Sequence, residues 1–114
     1  MPLVKIQTNQ PLDDDTARAI ARSATTIVAE ALGKPEAVTM AIVRGGVALT
    51  FGGSDEPAAL CEIEGLGSSD DVMPALVEGL GSLAESELSV PGSRTFIKLN
   101  SVPRGFWGQD RKVF

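Results

Sequence analysis

Pro2, directly behind Met1, is the residue of this sequence best suited to moving protons. A proline in that place is normally uncovered when the initiator methionine is trimmed, which leaves a secondary amine in place of an amide nitrogen. An α-amino group starts near a pKa of about 7.7 to 8. Burial in an apolar pocket, or a nearby cation, disfavours its protonated form and lowers that value, so the amine becomes a free base at neutral pH. Such a group can take the proton next to a carbonyl and return it at the other end of the enol. The rest of the sequence offers few rivals. Its 114 residues include no histidine and one cysteine, Cys61. That removes the Ser-His-Asp triad, the Cys-His pair, most metal-ligand sets and any internal disulfide. No metal site and no cofactor is expected, and Cys61 reads as a small buried hydrophobe and not as a nucleophile. Proline after Met, taken singly, says only that the terminus is trimmed; its weight comes from the elements that would position it.

Two helices stand out by periodicity. Between Leu12 and Gly33, the residues Ala17, Ile20, Ala21, Ala24, Ile27, Val28, Ala31 and Leu32 recur at spacings of three and four, with Asp13, Asp14 and Asp15 at the start and Gly33 at the expected C-cap. A second such stripe runs from Val72 through Met73, Leu76, Val77, Leu80, Leu83 and Ala84 to Leu88, with Ser69 and Asp70 as candidate N-caps. Gly79 and Gly81 weaken it, and small residues there would let a sheet approach closely. Short β-prone runs flank both helices: Leu3 to Gln7, Val38 to Arg44, Ala58 to Gly65 and Arg94 to Asn100. The order is β-α-β twice. The halves also match in detail, since Leu32-Gly33-Lys34-Pro35 and Val38-Thr39 are mirrored 56 positions on by Leu88-Ser89-Val90-Pro91 and Arg94-Thr95.

Helices of this length between strands of this length are right-handed crossovers joining parallel strands. The expected fold class is therefore α+β: two β-α-β repeats form a four-stranded mixed sheet with two helices on one face, all within a single domain, 1–114. A bare apolar face opposite the helices implies a partner subunit. Ala48 to Phe51 and Gly105 to Trp107 read as extra edge strands that pair across subunits.

Charged residues make up 22% of the chain and the net charge is -5, with no basic cluster beyond Arg111-Lys112, so nucleic acid is not an expected partner. The start MPLVKIQTNQ lacks a basic stretch followed by an apolar run, and no run reaches the 18 to 20 apolar residues that span a bilayer. A cytoplasmic protein without membrane contact is the expectation.

Pro2 at the start of a strand, the helix end LGKPE, the loop TFGGSDEP followed by ALC, and a C-terminal Trp-Gly segment together resemble the macrophage migration inhibitory factor branch of the tautomerase superfamily. The likeness runs the length of the chain. It implies a homotrimer with three active sites lying between neighbouring subunits, and a keto-enol tautomerase acting on small or aryl keto acids such as phenylpyruvate, with dopachrome-like compounds as further substrates. Residue by residue, it makes Pro2 the catalytic base. Lys34, in the same GKP setting, would hold the substrate carboxylate or the developing oxyanion, and Leu66 would contact substrate through its backbone amide. Phe96 stands where the family has a tyrosine and Lys98 where it has an asparagine, both contributed by the adjacent subunit. Phe96 removes a donor while keeping an apolar wall, and Lys98 adds a cation that favours anionic substrates. Phe106 and Trp107, with Phe114, would form the aromatic end of the pocket. The CxxC of the best-known member is absent, because this chain reads Ala58-Ala59-Leu60-Cys61; no dithiol redox activity is expected. The resemblance also admits a cytokine-like signalling protein with a vestigial pocket, exported without a signal peptide. Dehalogenase or decarboxylase chemistry, which adds arginines and a water-activating carboxylate near the pocket, finds no convincing match.

Overall fold

The computed structural model describes residues 1–114. Strand β1 (Pro2–Thr8) leads into helix α1 (Asp14–Leu32) and strand β2 (Met40–Arg44); strand β3 (Ala59–Leu66), helix α2 (Met73–Leu88) and strand β4 (Thr95–Val102) repeat the pattern. In the sheet the order is β2-β1-β3-β4. β1 runs parallel to β2 and β3 runs parallel to β4, while β1 and β3 meet antiparallel at the centre. The two expected β-α-β units are thus present, and their junction makes the sheet mixed.

Strand alternation decides which residues meet the helices. Val4 and Ile6 of β1 and Cys61 and Ile63 of β3 point to one side, where they join Ile20, Ala24 and Val28 of α1 and Leu76, Leu80 and Leu83 of α2 in one core. The spacing of four in α1 keeps its buried residues on a single stripe. Its start is fixed by Asp13, whose carboxylate accepts the Thr16 N–H at 2.7 Å. Gly33 ends it in the left-handed region, at φ 64°.

The start of α2 departs from expectation. Asp70–Val72 form a short 3₁₀ turn and the helix proper begins at Met73 with Pro74 in its first turn, where a missing N–H costs nothing. The Ser69 hydroxyl hydrogen-bonds to the Asp71 carboxylate and does not cap the helix. The two glycines of α2 also differ. A Cβ on Gly79 would come within 2.5 Å of Ile27 Cγ2, so Gly79 admits α1, not the sheet, while Gly81 faces open space.

The internal repeat extends to the turns. After each helix a 3₁₀ turn follows, Glu36–Val38 and Gly92–Arg94. Each is closed by a threonine hydroxyl donating back to a proline carbonyl, Thr39 to Pro35 at 2.9 Å and Thr95 to Pro91 at 3.0 Å. These turns delay β2 and β4 by one or two residues relative to the runs expected from Val38 and Arg94.

Within the single chain, the two segments expected to pair across subunits have no strand partner of their own. Ala48 to Phe51 makes no strand within the chain; only Phe51 bridges to Ser54 across Gly52-Gly53. That loop is held by side chains. Asn9 Nδ2 donates to the carbonyls of Asp55 and Glu56, and the Arg94 guanidinium donates to those of Phe51, Ser54, Glu56 and Pro57. Gly105 sits in a turn at φ 90°, and the terminal strands lie later: β5 (Gly108–Gln109) pairs with β6 (Lys112–Val113). Asp110 and Arg111 between them both have positive φ, which a two-residue hairpin of the I′ type requires.

The sheet face away from the helices carries Met40 and Ile42 on β2, Leu3 and Lys5 on β1, Leu60, Glu62 and Glu64 on β3, and Phe96 and Lys98 on β4. It is half polar, not the bare apolar face expected, because every strand places charge on it: Lys5 on β1, Arg44 on β2, Glu62 and Glu64 on β3, and Lys98 on β4. No helix is long and apolar enough to cross a membrane.

Candidate active site

The start of β1 is the floor of a cavity of about 320 Å³, seven of whose ten lining residues are hydrophobic. Met1 and the first residues of β1, Pro2 and Leu3, enter at one end, Val38 from the turn before β2, Met40 from the start of β2, Glu64 from β3, Val102 from the end of β4, and Phe106, Trp107 and Gly108 from the tail. Pro2 is held by its register opposite Gly65, and its ring is buried. Close packing around Gly65, where a Cβ would collide with Leu32 and Ser68, keeps that pairing tight.

The electrostatics at this terminus are those a base requires. The Met1 α-amino group has its pKa below the ordinary value, first because burial strips it of water and second because the Lys34 ammonium opposes a second positive charge. Removing Met1 would move the amine one residue inward, to the more buried Pro2.

The residues singled out in the sequence fall into three groups. Pro2, Phe106 and Trp107 line the cavity. Trp107 is fixed by the tail hairpin, since its carbonyl accepts the Phe114 N–H at 3.0 Å while the Phe114 carbonyl accepts the Gly105 N–H at 3.1 Å. Phe114 therefore contributes backbone support, and its ring is not part of the wall. Phe106 is 82% exposed, so it forms a rim.

Lys34 and Leu66 border the cavity without lining it. Lys34 follows the C-cap of α1, where its N–H donates to the Ala29 carbonyl, and its charge is felt at the N-terminal amine. Leu66 closes β3 opposite Val102, itself a wall residue.

Phe96 and Lys98 lie apart, on the exposed sheet face. Phe96 packs edge-on against Phe51 with ring centroids 4.8 Å apart, and Lys98 pairs with Glu62 at 3.3 Å. Neither reaches the cavity of its own chain.

Six wall residues, Leu3, Val38, Met40, Glu64, Val102 and Gly108, were not singled out in the sequence as site residues. For Glu64 a signal existed: alternation along β3 puts it on the same face as its register partner Leu3, beside the residue that faces Pro2. Cys61 is on the opposite, core side, with its thiol pushed up to about 12 by burial, which makes it inert as a nucleophile.

Comparison with known proteins agrees with this architecture. The family model described as Macrophage migration inhibitory factor (MIF) matches residues 1–110. A macrophage migration inhibitory factor homolog of Brugia malayi is 37% identical over 99 residues, 86% of this chain and 85% of that protein; one of Wuchereria bancrofti is 35% identical over the same shares. Among solved structures, the homologue from Prochlorococcus marinus superposes with a TM-score of 0.90 at 30% identity, covering 98% of each chain. The macrophage migration inhibitory factor-like protein of Entamoeba histolytica gives 0.93 at 20% identity, over 99% of this chain and 98% of that one, a likeness of fold alone. With the doubled β-α-β sheet and the cavity at Pro2, these matches mean that the chain belongs to the macrophage migration inhibitory factor family of the tautomerase superfamily.

Proposed function

We propose that this chain is a keto-enol tautomerase whose general base is the Pro2 amine, freed by removal of Met1, and whose substrates are small or aryl α-keto acids of the phenylpyruvate type. The observation that carries this reading is a terminal amine of lowered pKa in a mostly apolar cavity. The Pro2 nitrogen takes the proton from the carbon next to the carbonyl, the C–H electron pair becomes the C=C bond of the enol, and the carbonyl pair moves onto oxygen. The proton then passes to that oxygen, which completes the exchange without a cofactor.

Each neighbour has a part in this scheme. Lys34 attracts the substrate carboxylate or the developing oxyanion, and the Leu66 backbone amide adds a donor. Phe106 and Trp107 give the aryl group an apolar bed. Phe96 and Lys98 complete the site from a neighbouring copy in a homotrimer; their distance from the cavity of their own chain supports an intersubunit site.

The test is phenylpyruvate tautomerisation by protein whose Met1 is shown by mass spectrometry to be absent. Pro2→Gly, and protein with Met1 retained, should each lose about 10²- to 10⁴-fold in kcat/KM. Rates equal to the trimmed wild type in both would sink the mechanism.

A further inference from the structure

The cavity contains one charged side chain that the proposed reaction does not use. Glu64 lines it together with Pro2, Met40 and Trp107, and is half-buried there. Within its own chain its carboxylate has no ion-pair partner, since the one ion pair of the chain joins Lys98 to Glu62 two residues away. On either side in the sheet its register partners are Leu3 and Asn100, neither of which brings a positive charge.

A carboxylate at the edge of an apolar cavity keeps its water while the cavity is empty. A ligand that fills the space removes that water, and the cost depends on what replaces it. An apolar group leaves the charge unpartnered. A second carboxylate adds repulsion, whereas a hydroxyl or amine restores a charge-assisted hydrogen bond. The substrate's own carboxylate has a better place, toward the Lys34 charge that already acts at the N-terminal amine. With its carboxylate drawn toward Lys34, the rest of the substrate lies in the cavity that Glu64 lines.

We propose that Glu64 is a specificity-determining residue of the cavity, favouring keto acids whose far end carries a hydrogen-bond donor and rejecting those that carry a second anionic group. This rests on the cavity being a keto-enol site, but its energetic basis is binding, so it can be tested apart from turnover. Trp107 is the sole tryptophan of the chain and lines the cavity, which makes intrinsic fluorescence a direct reporter of occupancy.

The experiment uses phenylpyruvate, 4-hydroxyphenylpyruvate and 4-carboxyphenylpyruvate with trimmed wild type, Glu64→Gln and Glu64→Met. In the wild type, kcat/KM for the hydroxy compound should exceed that for phenylpyruvate by about tenfold, with the carboxy compound about tenfold below it. Glu64→Met should bring all three within about twofold to threefold of one another. Glu64→Gln, which keeps an acceptor and drops the charge, should retain part of the hydroxyl preference and accept the carboxy compound. Should Glu64→Met fail to fold by circular dichroism, acceptance of the carboxy compound by Glu64→Gln decides the matter. The same ordering should appear in Kd values from Trp107 fluorescence in protein that retains Met1. Absence of turnover in the trimmed wild type would remove the base mechanism while the fluorescence ordering still judges Glu64. An unchanged ratio among the three ligands in both variants overturns the proposal.

Discussion

At Pro2 the useful property is a lowered proton affinity, and it has two sources of unequal size. Both act on the Met1 α-amino group of the untrimmed chain, where burial contributes most and Lys34 adds to it, and removal of Met1 would pass them to the Pro2 amine. The two can be separated, because a nearby positive charge lowers an amine's pKa and removing that charge must raise it. Lys34→Met should therefore shift the acid limb of the kcat/KM profile to higher pH, yet leave it below that of an exposed α-amine, since burial remains. Lys34→Arg keeps the charge and should leave the limb in place. If Lys34 also holds the substrate carboxylate, KM in Lys34→Met rises roughly tenfold, the loss expected for one charged hydrogen bond. A pH profile of trimmed protein checks both effects, and a limb that does not move would show that the lysine acts on substrate alone. Pro2 and Lys34 were legible in the sequence because each sits beside a strong local marker, the start of the chain and the GKP helix end. Val38, Met40, Glu64 and Val102 were not, because they reach the cavity from four separate stretches of chain that only the folded sheet brings together.

Elements follow the same division between local and distant causes. Both helices and all four central strands were legible, since a stripe of period 3.6 or an alternation of period two survives in the sequence. What the pattern left out was the onset of α2, the 3₁₀ turns before β2 and β4, and the tail hairpin, each set by one or two residues with unusual backbone demands: Pro74, Pro35 and Pro91, and the left-handed pair Asp110 and Arg111. The glycines of α2 show how far position outweighs residue type. Replacing Gly81 by alanine adds a methyl into open space and raises helix propensity, so it should stabilise the protein by up to about 1 kcal/mol. Replacing Gly79 gains the same propensity but drives a methyl into Ile27, a β-branched residue with little rotamer freedom on α1. Overpacking of this kind costs about 1 to 3 kcal/mol, so the net effect should be a loss of about 1 kcal/mol. Urea unfolding of the two variants should give midpoints on opposite sides of the wild type. Equal gains in both would mean that α1 moves aside freely.

For the whole molecule, the sheet of a single chain is left open at both edges and on one face. β2 and β4 are free edges, Met40 is 61% and Phe96 48% exposed, and the face opposite the helices alternates charge with apolar groups. Open edges and exposed apolar groups of this kind are what natural sheets cover. If the cover is a ring of three copies, with Phe96 and Lys98 completing the cavity that holds the next copy's Pro2, then the sites are shared and their defects should complement. Pro2→Gly alone lacks the base, and Lys98→Met alone lacks the neighbouring cation. Co-refolding the two should form mixed trimers in which about a quarter of the sites combine an intact Pro2 with an intact Lys98. Activity toward phenylpyruvate should then rise above the average of the separate variants, in a particle three times the 11.9 kDa chain by light scattering. No recovery in a particle of that mass would mean that each copy builds its site alone, and the exposed position of Phe96 and Lys98 would belong to assembly and not to catalysis.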